Sequence, residues 1–115
     1  MGITTVNIVK VIGDVYGVEA EDGQRVYDLI VKAFEQKLQV ILSFQNVELL
    51  TTAFLNTAVG QLYGRFTEDE IRERLHVENL SESGKVALKR VVDTAKLFYK
   101  DPETLERNIG NVLDD

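Results

Sequence analysis

The spacing of apolar residues changes several times along the chain, and each change predicts a new element. Residues 3–12 (ITTVNIVKVI) are rich in β-branched side chains, which favour a strand. Gly13 and Asp14 mark a turn. Residues 15–20 predict a second short strand, which we expect to pair with the first as a hairpin.

A helix is predicted over residues 23–37, with Asp22 as its N-cap. Its apolar residues recur at helical spacing and form one stripe: Val26, Leu29, Ile30, Ala33 and Phe34. Residues 40–44 are nearly all apolar, which is typical of a central parallel strand that is covered on both faces.

A pair of threonines, Thr51 and Thr52, offers an N-cap for the next helix. The residues expected to face the core are Phe54, Leu55, Ala58, Val59 and Leu62. Gly60 is unfavourable inside a helix unless it allows close packing, and Gly64 is expected to end this helix.

Thr67 and Glu70 form a capping box, which predicts a short helix that buries Ile71 and Leu75. Residues 76–80 then predict a short strand. The helix that follows begins at Ser81 or Ser83 and runs to about residue 100. Its inward residues are expected to be Leu88, Val91, Val92, Ala95 and either Phe98 or Tyr99.

The last predicted helix covers residues 102–113. Asp101 is its N-cap and Pro102 occupies its first helical position. Its apolar residues are Leu105, Ile109 and Val112.

Strands alternating with helices predict an α/β fold, with a mixed, mainly parallel sheet of about four strands covered by four or five helices. A chain of 115 residues is expected to form one domain over 1–115, because a second domain would leave neither half a sufficient core. Residues 101–115 are interpreted as a helical extension of this domain.

Composition argues against several classes of partner. The net charge is −6 and the isoelectric point is about 4.8, whereas proteins that bind nucleic acids usually present a basic face. The one basic cluster is interpreted as a solvated helix face: Lys85, Lys89, Arg90, Lys96 and Lys100.

No apolar run approaches the ~20 residues that span a bilayer, and the alternating N-terminus does not resemble a signal peptide. We therefore expect a cytoplasmic protein that binds neither nucleic acids nor membranes.

Patterns for catalysis and metal binding are missing from the sequence. The chain has no cysteine and one histidine, His76, and it lacks the GxGxxG and GxxxxGK[ST] phosphate loops. Clusters of carboxylates fall at predicted helix N-termini, where capping and the helix dipole explain them. The expectation is a protein without a metal, a cofactor or an enzymatic activity, with a carboxylate-based hydrolase as a minor alternative.

Residues 39–63 localise a function best, because a strand here leads into a helix start. This arrangement puts hydroxyls and free backbone N–H groups at the carboxyl edge of a sheet, where open α/β folds place ligand and regulatory sites. The predicted regulatory or partner-binding residues are Asn46, Thr51, Thr52, Ala53, Phe54 and Asn56, with Thr57 and Gln61 at their edge. Thr52 is open to two interpretations: a helix cap, or a phosphorylation site where phosphate adds about −1.5 to −2 charge.

The same stretch resembles the STAS domain, the module of anti-sigma factor antagonists and of sulfate transporter tails. That family has a pattern like V-x-F-I-D-S-S-G-L, in which the Ser after the Asp is phosphorylated at the start of a helix. Here Thr51 falls on the Asp, Thr52 on the phosphorylated Ser and Leu55 on the Leu, while Ala53-Phe54 replaces Ser-Gly. Most of residues 3–100 resemble a divergent group of STAS-like bacterial proteins.

The resemblance implies a sheet covered by helices and a non-enzymatic regulatory role through protein–protein contacts. The implied partner is a GHKL-type ATPase or kinase, with phosphorylation at the strand–helix loop as the switch. The alternative is a small-ligand or nucleotide-binding domain that holds an anion at the Thr51–Phe54 helix start. An exposed edge strand over residues 3–12 would also allow two copies of the chain to pair as a homodimer.

Overall fold

The computed structural model describes residues 2–100; Met1, the side chain of Lys100 and residues 101–115 are outside the description. The helix predicted over 102–113 therefore lies outside the described residues. The elements in chain order are β1 Ile3–Asn7, α1 Ile8–Ile12, β2 Tyr16–Gly17, α2 Ala20–Glu35, β3 Gln39–Ser43, β4 Leu49–Leu50, α3 Thr52–Ala58, a 3-10 helix Gly60–Gly64, α4 Glu68–Arg74, β5 Leu75–Glu78 and α5 Glu82–Lys100.

Parallel pairing organises the described strands into two sheets. The larger sheet has the order β1-β3-β5, so β3 is central and both of its neighbours run parallel to it. The smaller sheet is a parallel pair of β2 and β4. The predicted α/β class and the mainly parallel strands are confirmed.

The strand predicted over residues 3–12 is wrong in its second half. The strand ends at Asn7, whose side chain accepts a hydrogen bond of 3.0 Å from the backbone N–H of Lys10 and thereby caps α1. Gly13 ends α1 with a φ of 73°, and its N–H donates to the carbonyl of Val9. Caps on both sides of a five-residue segment therefore override the β preference of the residues between them.

The predicted hairpin is also wrong. Because α1 separates β1 from β2, β2 does not return along β1. It pairs instead with β4, where Tyr16 lies beside Leu49 and Gly17 beside Leu50.

Helix α2 begins earlier than predicted, with Glu19 rather than Asp22 at the N-cap position. Glu21 and Asp22 lie in its first turn, where their negative charges interact favourably with the positive end of the helix dipole. Four members of the predicted stripe are buried, but Leu29 is 41% exposed and Val31 is buried in its place.

Strand β3 is covered on one face more than on the other. Val40 and Leu42 are fully buried, on the face that they share with Val6. Ile41 lies on the opposite face, where it is half-buried between Thr5 and His76, which are both exposed. The expectation that both faces are covered is therefore wrong.

Most of the remaining predictions for the core are confirmed, since Ile71, Val91 and Ala95 are buried, but Leu88 and Val92 are only half-buried. Leu75 is also half-buried and belongs to β5, which spans Leu75–Glu78 rather than the predicted 76–80.

All five inward residues of the predicted 51–64 helix are buried, although the helix ends at Ala58 and continues as a 3-10 turn. A Cβ on Gly60 would lie 3.4 Å from Val91 Cγ1, which shows the close approach of this turn to α5. Both bonds of the Thr67–Glu70 capping box are present. Ser81, not Ser83, caps α5 by accepting from the N–H of Gly84.

Candidate functional site

Thr51 holds the junction between β4 and α3. Its hydroxyl oxygen accepts from the N–H of Phe54 at 3.2 Å and donates to the carbonyl oxygen of Val18 at 2.7 Å. Its backbone N–H donates to the carbonyl of Gly17 at 3.0 Å. Thr51 therefore both caps α3 and ties it to the segment between β2 and α2.

Thr52 is the first residue of α3, and its side chain is exposed. Ala53 and Asn56 are exposed as well. Asn56 follows Thr52 by four residues and Ala53 by three, so it is a neighbour of both on the helix surface. Phe54 points the other way and is fully buried, so it supports this surface through packing rather than by direct contact.

The two predicted asparagines line different cavities. Asn46 lies in the loop after β3 with a φ of 67°, and it borders a crevice of about 370 Å³ together with Asn79 and Ser81. Asn56 borders a separate cavity of about 290 Å³ beside α5, which Thr57 and Gln61 also line. The described structure therefore brings Thr52, Ala53 and Asn56 together and places Asn46 elsewhere.

An exposed apolar pair lies in the strand pair that precedes this helix start. Tyr16 and Leu49 are side by side in β2 and β4, and they are 50% and 53% exposed. Leu49 precedes Thr52 by only three residues. Sequence reasoning missed this pair, because the pairing joins segments more than thirty residues apart and neither segment signals the other. We name Tyr16, Leu49, Thr52, Ala53 and Asn56 the α3 surface.

Two glycines set the position of α3 beneath this surface. A Cβ on Gly23 would lie 2.6 Å from the carbonyl oxygen of Phe54, so only glycine lets α2 approach α3 this closely. A Cβ on Gly17 would lie 2.9 Å from Leu50 Cδ2, and Gly17 is buried. A side-chain hydrogen bond of 2.9 Å from Gln61 to Gln24 adds a polar contact between α2 and the 3-10 helix.

The crevice beside Asn46 lies at the carboxyl ends of β3 and β5. Asn79 follows β5 with a φ of 61°, and its side-chain amide donates to the hydroxyl oxygen of the buried Ser43 at 3.4 Å. The backbone N–H of Gln45 donates to the same oxygen at 3.3 Å. The signal in the sequence for this crevice was the polar residues close to the end of each strand: Gln45 and Asn46 after Phe44 at the end of β3, and Asn79 directly after β5.

Ionisable groups in the described part of the chain give no metal or nucleophile centre. No group of three His, Asp or Glu side chains within residues 2–100 is arranged to hold a metal ion. The one histidine, His76, is exposed, and its Nε2 lies 2.9 Å from Gln39 Oε1. Burial, assisted by the Glu68 carboxylate, raises the pKa of Tyr63 above its usual value. None of the helices within this range is long and apolar enough to cross a membrane.

Comparison with known protein families identifies the family of this chain. The family described as "STAS-like domain of unknown function (DUF4325)" matches residues 22–85, more than half of the chain. The chain belongs to this STAS-like family. Its parallel strands and covering helices agree with a STAS-like fold. No curated protein and no solved structure matches the chain.

The match places most of the α3 surface inside the STAS-like region. Residues 22–85 run from the first turn of α2 to the start of α5, so they include Leu49, Thr52, Ala53 and Asn56. Tyr16 lies before the matched region, and β2 therefore adds one side chain to this surface from outside it.

Proposed function

We propose that this STAS-like protein is a non-enzymatic regulatory module that binds another protein through the α3 surface. The observation that carries the proposal is the exposed pair of Tyr16 and Leu49 in the strand pair that ends just before the exposed Thr52. Exposed tyrosines are typical anchors of protein–protein contacts, and Leu49 enlarges the apolar area beside Tyr16. Ala53 and Asn56 extend the surface along α3.

Thr52 is the residue whose modification would switch this surface. Thr51 is engaged by two hydrogen bonds of its hydroxyl, whereas the hydroxyl of Thr52 is exposed at the first position of α3. A phosphate there would add about −1.5 to −2 charge three residues from Leu49. Such a charge would oppose docking of an apolar partner surface and leave the buried side of α3 unchanged.

The resemblance of residues 39–63 to the STAS motif supports a GHKL-type ATPase or kinase as the partner class. Such a partner would both bind the α3 surface and supply the phosphate. The protein itself would need no cofactor or metal, because its part is to present a surface. We place this activity in the cytoplasm, as the sequence predicts.

The test is affinity purification of the tagged full chain from its native host, with quantitative mass spectrometry of the bound proteins. The wild type is compared with a Tyr16→Ala/Leu49→Ala variant and with Leu97→Ala, a control that truncates a leucine 60% exposed on α5. Loss of two contact anchors should lower recovery of a specific partner by about tenfold or more. The Leu97→Ala protein should recover the partner as the wild type does.

Phosphorylation is tested in the same purification. Thr52→Asp should lower recovery of the partner and Thr52→Val should preserve it, while peptide mapping of the wild type should find phosphate on Thr52. A partner recovered equally by all variants would overturn the proposed surface. An unmodified Thr52 under every growth condition, with equal recovery by the Asp and Val variants, would overturn the switch.

A second candidate function is the binding of a small polar ligand. Our sequence-based alternative placed an anion at Thr51–Phe54, where Thr51 Oγ1 already accepts from a backbone donor. The observation that favours a ligand is instead the crevice between Asn46 and Asn79, whose volume of about 370 Å³ falls in the range of small-molecule sites.

A thermal-shift panel of nucleotides and phosphorylated metabolites tests this candidate. A ligand at a hundred times its Kd stabilises a protein by about 2.7 kcal/mol. Asn79→Gly should reduce the shift, since Gly keeps the left-handed backbone and removes the amide. The Tyr16→Ala/Leu49→Ala variant should not change it. No shift across the panel would exclude the tested ligands and leave the protein-binding function as the proposal.

A further inference from the structure

The outward side of α5 carries a line of four residues at alternating intervals. Val86, Arg90, Asp93 and Leu97 follow one another after four, three and four residues, so they are neighbours along one side of the helix. We name these four residues the α5 stripe. All four are exposed, with Val86 at 58% and Leu97 at 60%. Two exposed apolar side chains therefore flank two exposed charges of opposite sign.

The α5 stripe faces away from the packed side of the helix. The buried residues of α5 are Gly84, Val91 and Ala95, on the side that packs against α3 and the 3-10 helix. With 3.6 residues per turn, each residue turns the helix by about 100°, which puts the α5 stripe opposite these three residues. A second helix can therefore lie along the α5 stripe without disturbing the contacts of α5 with the core.

The order of residues makes the α5 stripe complementary to itself. The midpoint between Arg90 and Asp93 is also the midpoint between Val86 and Leu97. If a second copy of α5 lies antiparallel to the first, with a two-fold axis at this midpoint, Arg90 of each copy comes level with Asp93 of the other. Val86 of each copy then comes level with Leu97 of the other. A two-fold contact requires this property, because the same surface must supply both partners.

We propose that this protein forms a homodimer through antiparallel contact of two α5 stripes. Intervals of four and three residues are those at which two helices present a continuous seam to each other. Two Arg90–Asp93 ion pairs would lie at the centre, where the planar guanidinium suits a carboxylate. A Val86–Leu97 contact would lie on each side of them and reduce their access to water. The α5 stripe lies outside the α3 surface, so this inference does not depend on the proposed function.

The existing ion pairs leave the central residues available for this contact. Within residues 2–100, no carboxylate lies at ion-pair distance from the Arg90 guanidinium. Asp93 is paired through Oδ2 with Lys89 at 3.0 Å, in an exposed pair of the kind that contributes little energy. Its Oδ1 remains open to Arg90 of a second copy. Lys96, beside the α5 stripe, has its own carboxylate partner in Glu68 at 3.9 Å.

The contact is short, so the dimer should be weak. From Val86 to Leu97 the helix advances about 16 Å, which gives a contact at the small end of protein interfaces. We expect a Kd of roughly 10–100 µM at low ionic strength. Because the central ion pairs lie near solvent, added salt should raise this Kd.

Sedimentation velocity of the full chain measures the pairing, over a concentration range of about 5–500 µM that brackets the expected Kd. Arg90→Asp would set carboxylates opposite carboxylates and should raise the Kd by about tenfold or more. Asp93→Arg should have the same effect by setting guanidinium groups opposite each other. Lys85→Asp is the matched control, because it changes the net charge as Arg90→Asp does, on an exposed residue of α5 outside the stripe. It should leave the Kd unchanged.

Two rescue experiments separate lost complementarity from damage to the fold. Arg90→Asp combined with Asp93→Arg restores opposite charges in reversed order and should pair as the wild type does. An equimolar mixture of the two single variants should form a heterodimer, although neither variant pairs alone. Leu97→Ala should also weaken pairing, while its recovery of a partner through the α3 surface should equal that of the wild type.

Three results would overturn the proposal. The first is a wild type that stays monomeric over the whole concentration range. The second is a double variant that pairs as weakly as Arg90→Asp or Asp93→Arg alone. The third is a dimer that none of the substitutions in the α5 stripe affects, which would place the contact on another surface, such as the edge strand β1.

Discussion

Thr51 Oγ1 donates a hydrogen bond of 2.7 Å to the carbonyl oxygen of Val18, thirty-three residues earlier in the chain. The same oxygen accepts from the N–H of Phe54. One hydroxyl therefore starts α3 and fixes it to the strand–helix connection that precedes α2. In the STAS pattern Thr51 occupies the acidic position, and its two hydrogen bonds here are structural.

Thr51→Ala should lower the free energy of unfolding by about 2 kcal/mol, the sum of a lost helix cap and a lost tertiary hydrogen bond. Thr52→Ala is the matched control, and its exposed side chain predicts a change within about 0.5 kcal/mol. Urea unfolding followed by circular dichroism measures both values. Equal decreases in the free energy of unfolding for the two variants would show that the hydroxyl of Thr51 stabilises the fold no more than that of Thr52.

Gly23→Ala should destabilise the protein by about 1–3 kcal/mol, because its Cβ would lie 2.6 Å from the backbone oxygen of Phe54. Gly84→Ala is the control: its Cβ would also meet an atom at 2.6 Å, but that atom is the terminal Leu80 Cδ1, which can rotate away. At Gly84 the gain of about 1 kcal/mol in helix propensity offsets the crowding. Unfolding curves in which Gly23→Ala is as stable as Gly84→Ala would contradict the close packing of α2 on α3.

Local signals were sufficient to predict much of this fold. The stripe of α2, the capping box before α4 and the apolar run of β3 each lie within one short segment, so their periodicity or spacing is visible without the fold. The α3 start was predictable for the same reason, since a threonine precedes an apolar helical pattern.

Two kinds of relationship account for what the sequence did not predict, one local and one between distant segments. β1 ends early because the Asn7 side chain caps α1, although the residues that follow favour a strand by composition. The pairing of Tyr16 with Leu49 depends on how α2 packs, and no periodicity in either two-residue strand reports it. The part of the α3 surface around Thr52 was therefore predicted from the sequence, and the part formed by Tyr16 and Leu49 was not.

Asn79 offers a way to separate backbone strain from side-chain bonding in the crevice. Its φ of 61° is costly for most residues, and its amide donates to Ser43 Oγ. Asn79→Ala should lose about 1–2 kcal/mol from backbone strain, plus the hydrogen bond. Asn79→Gly loses only the hydrogen bond and should therefore be the more stable variant in urea unfolding. Identical stabilities would indicate that the loop relaxes out of the left-handed conformation.

Tyr63 should make the stability of the protein fall in alkaline solution. Burial raises its pKa, the Glu68 and Asp93 carboxylates raise it further, and Arg72 opposes them. A folded-state pKa above the unfolded value of about 10 means that the folded protein keeps a proton which the unfolded chain releases. The free energy of unfolding therefore decreases as the pH rises through 10.

Tyr63→Phe has no such proton, so its stability relative to the wild type should improve progressively between about pH 9 and 11. Urea unfolding of both proteins across this range measures the difference, in which the titration of all other groups cancels. A difference that stays constant with pH would show that Tyr63 titrates alike in the folded and unfolded states.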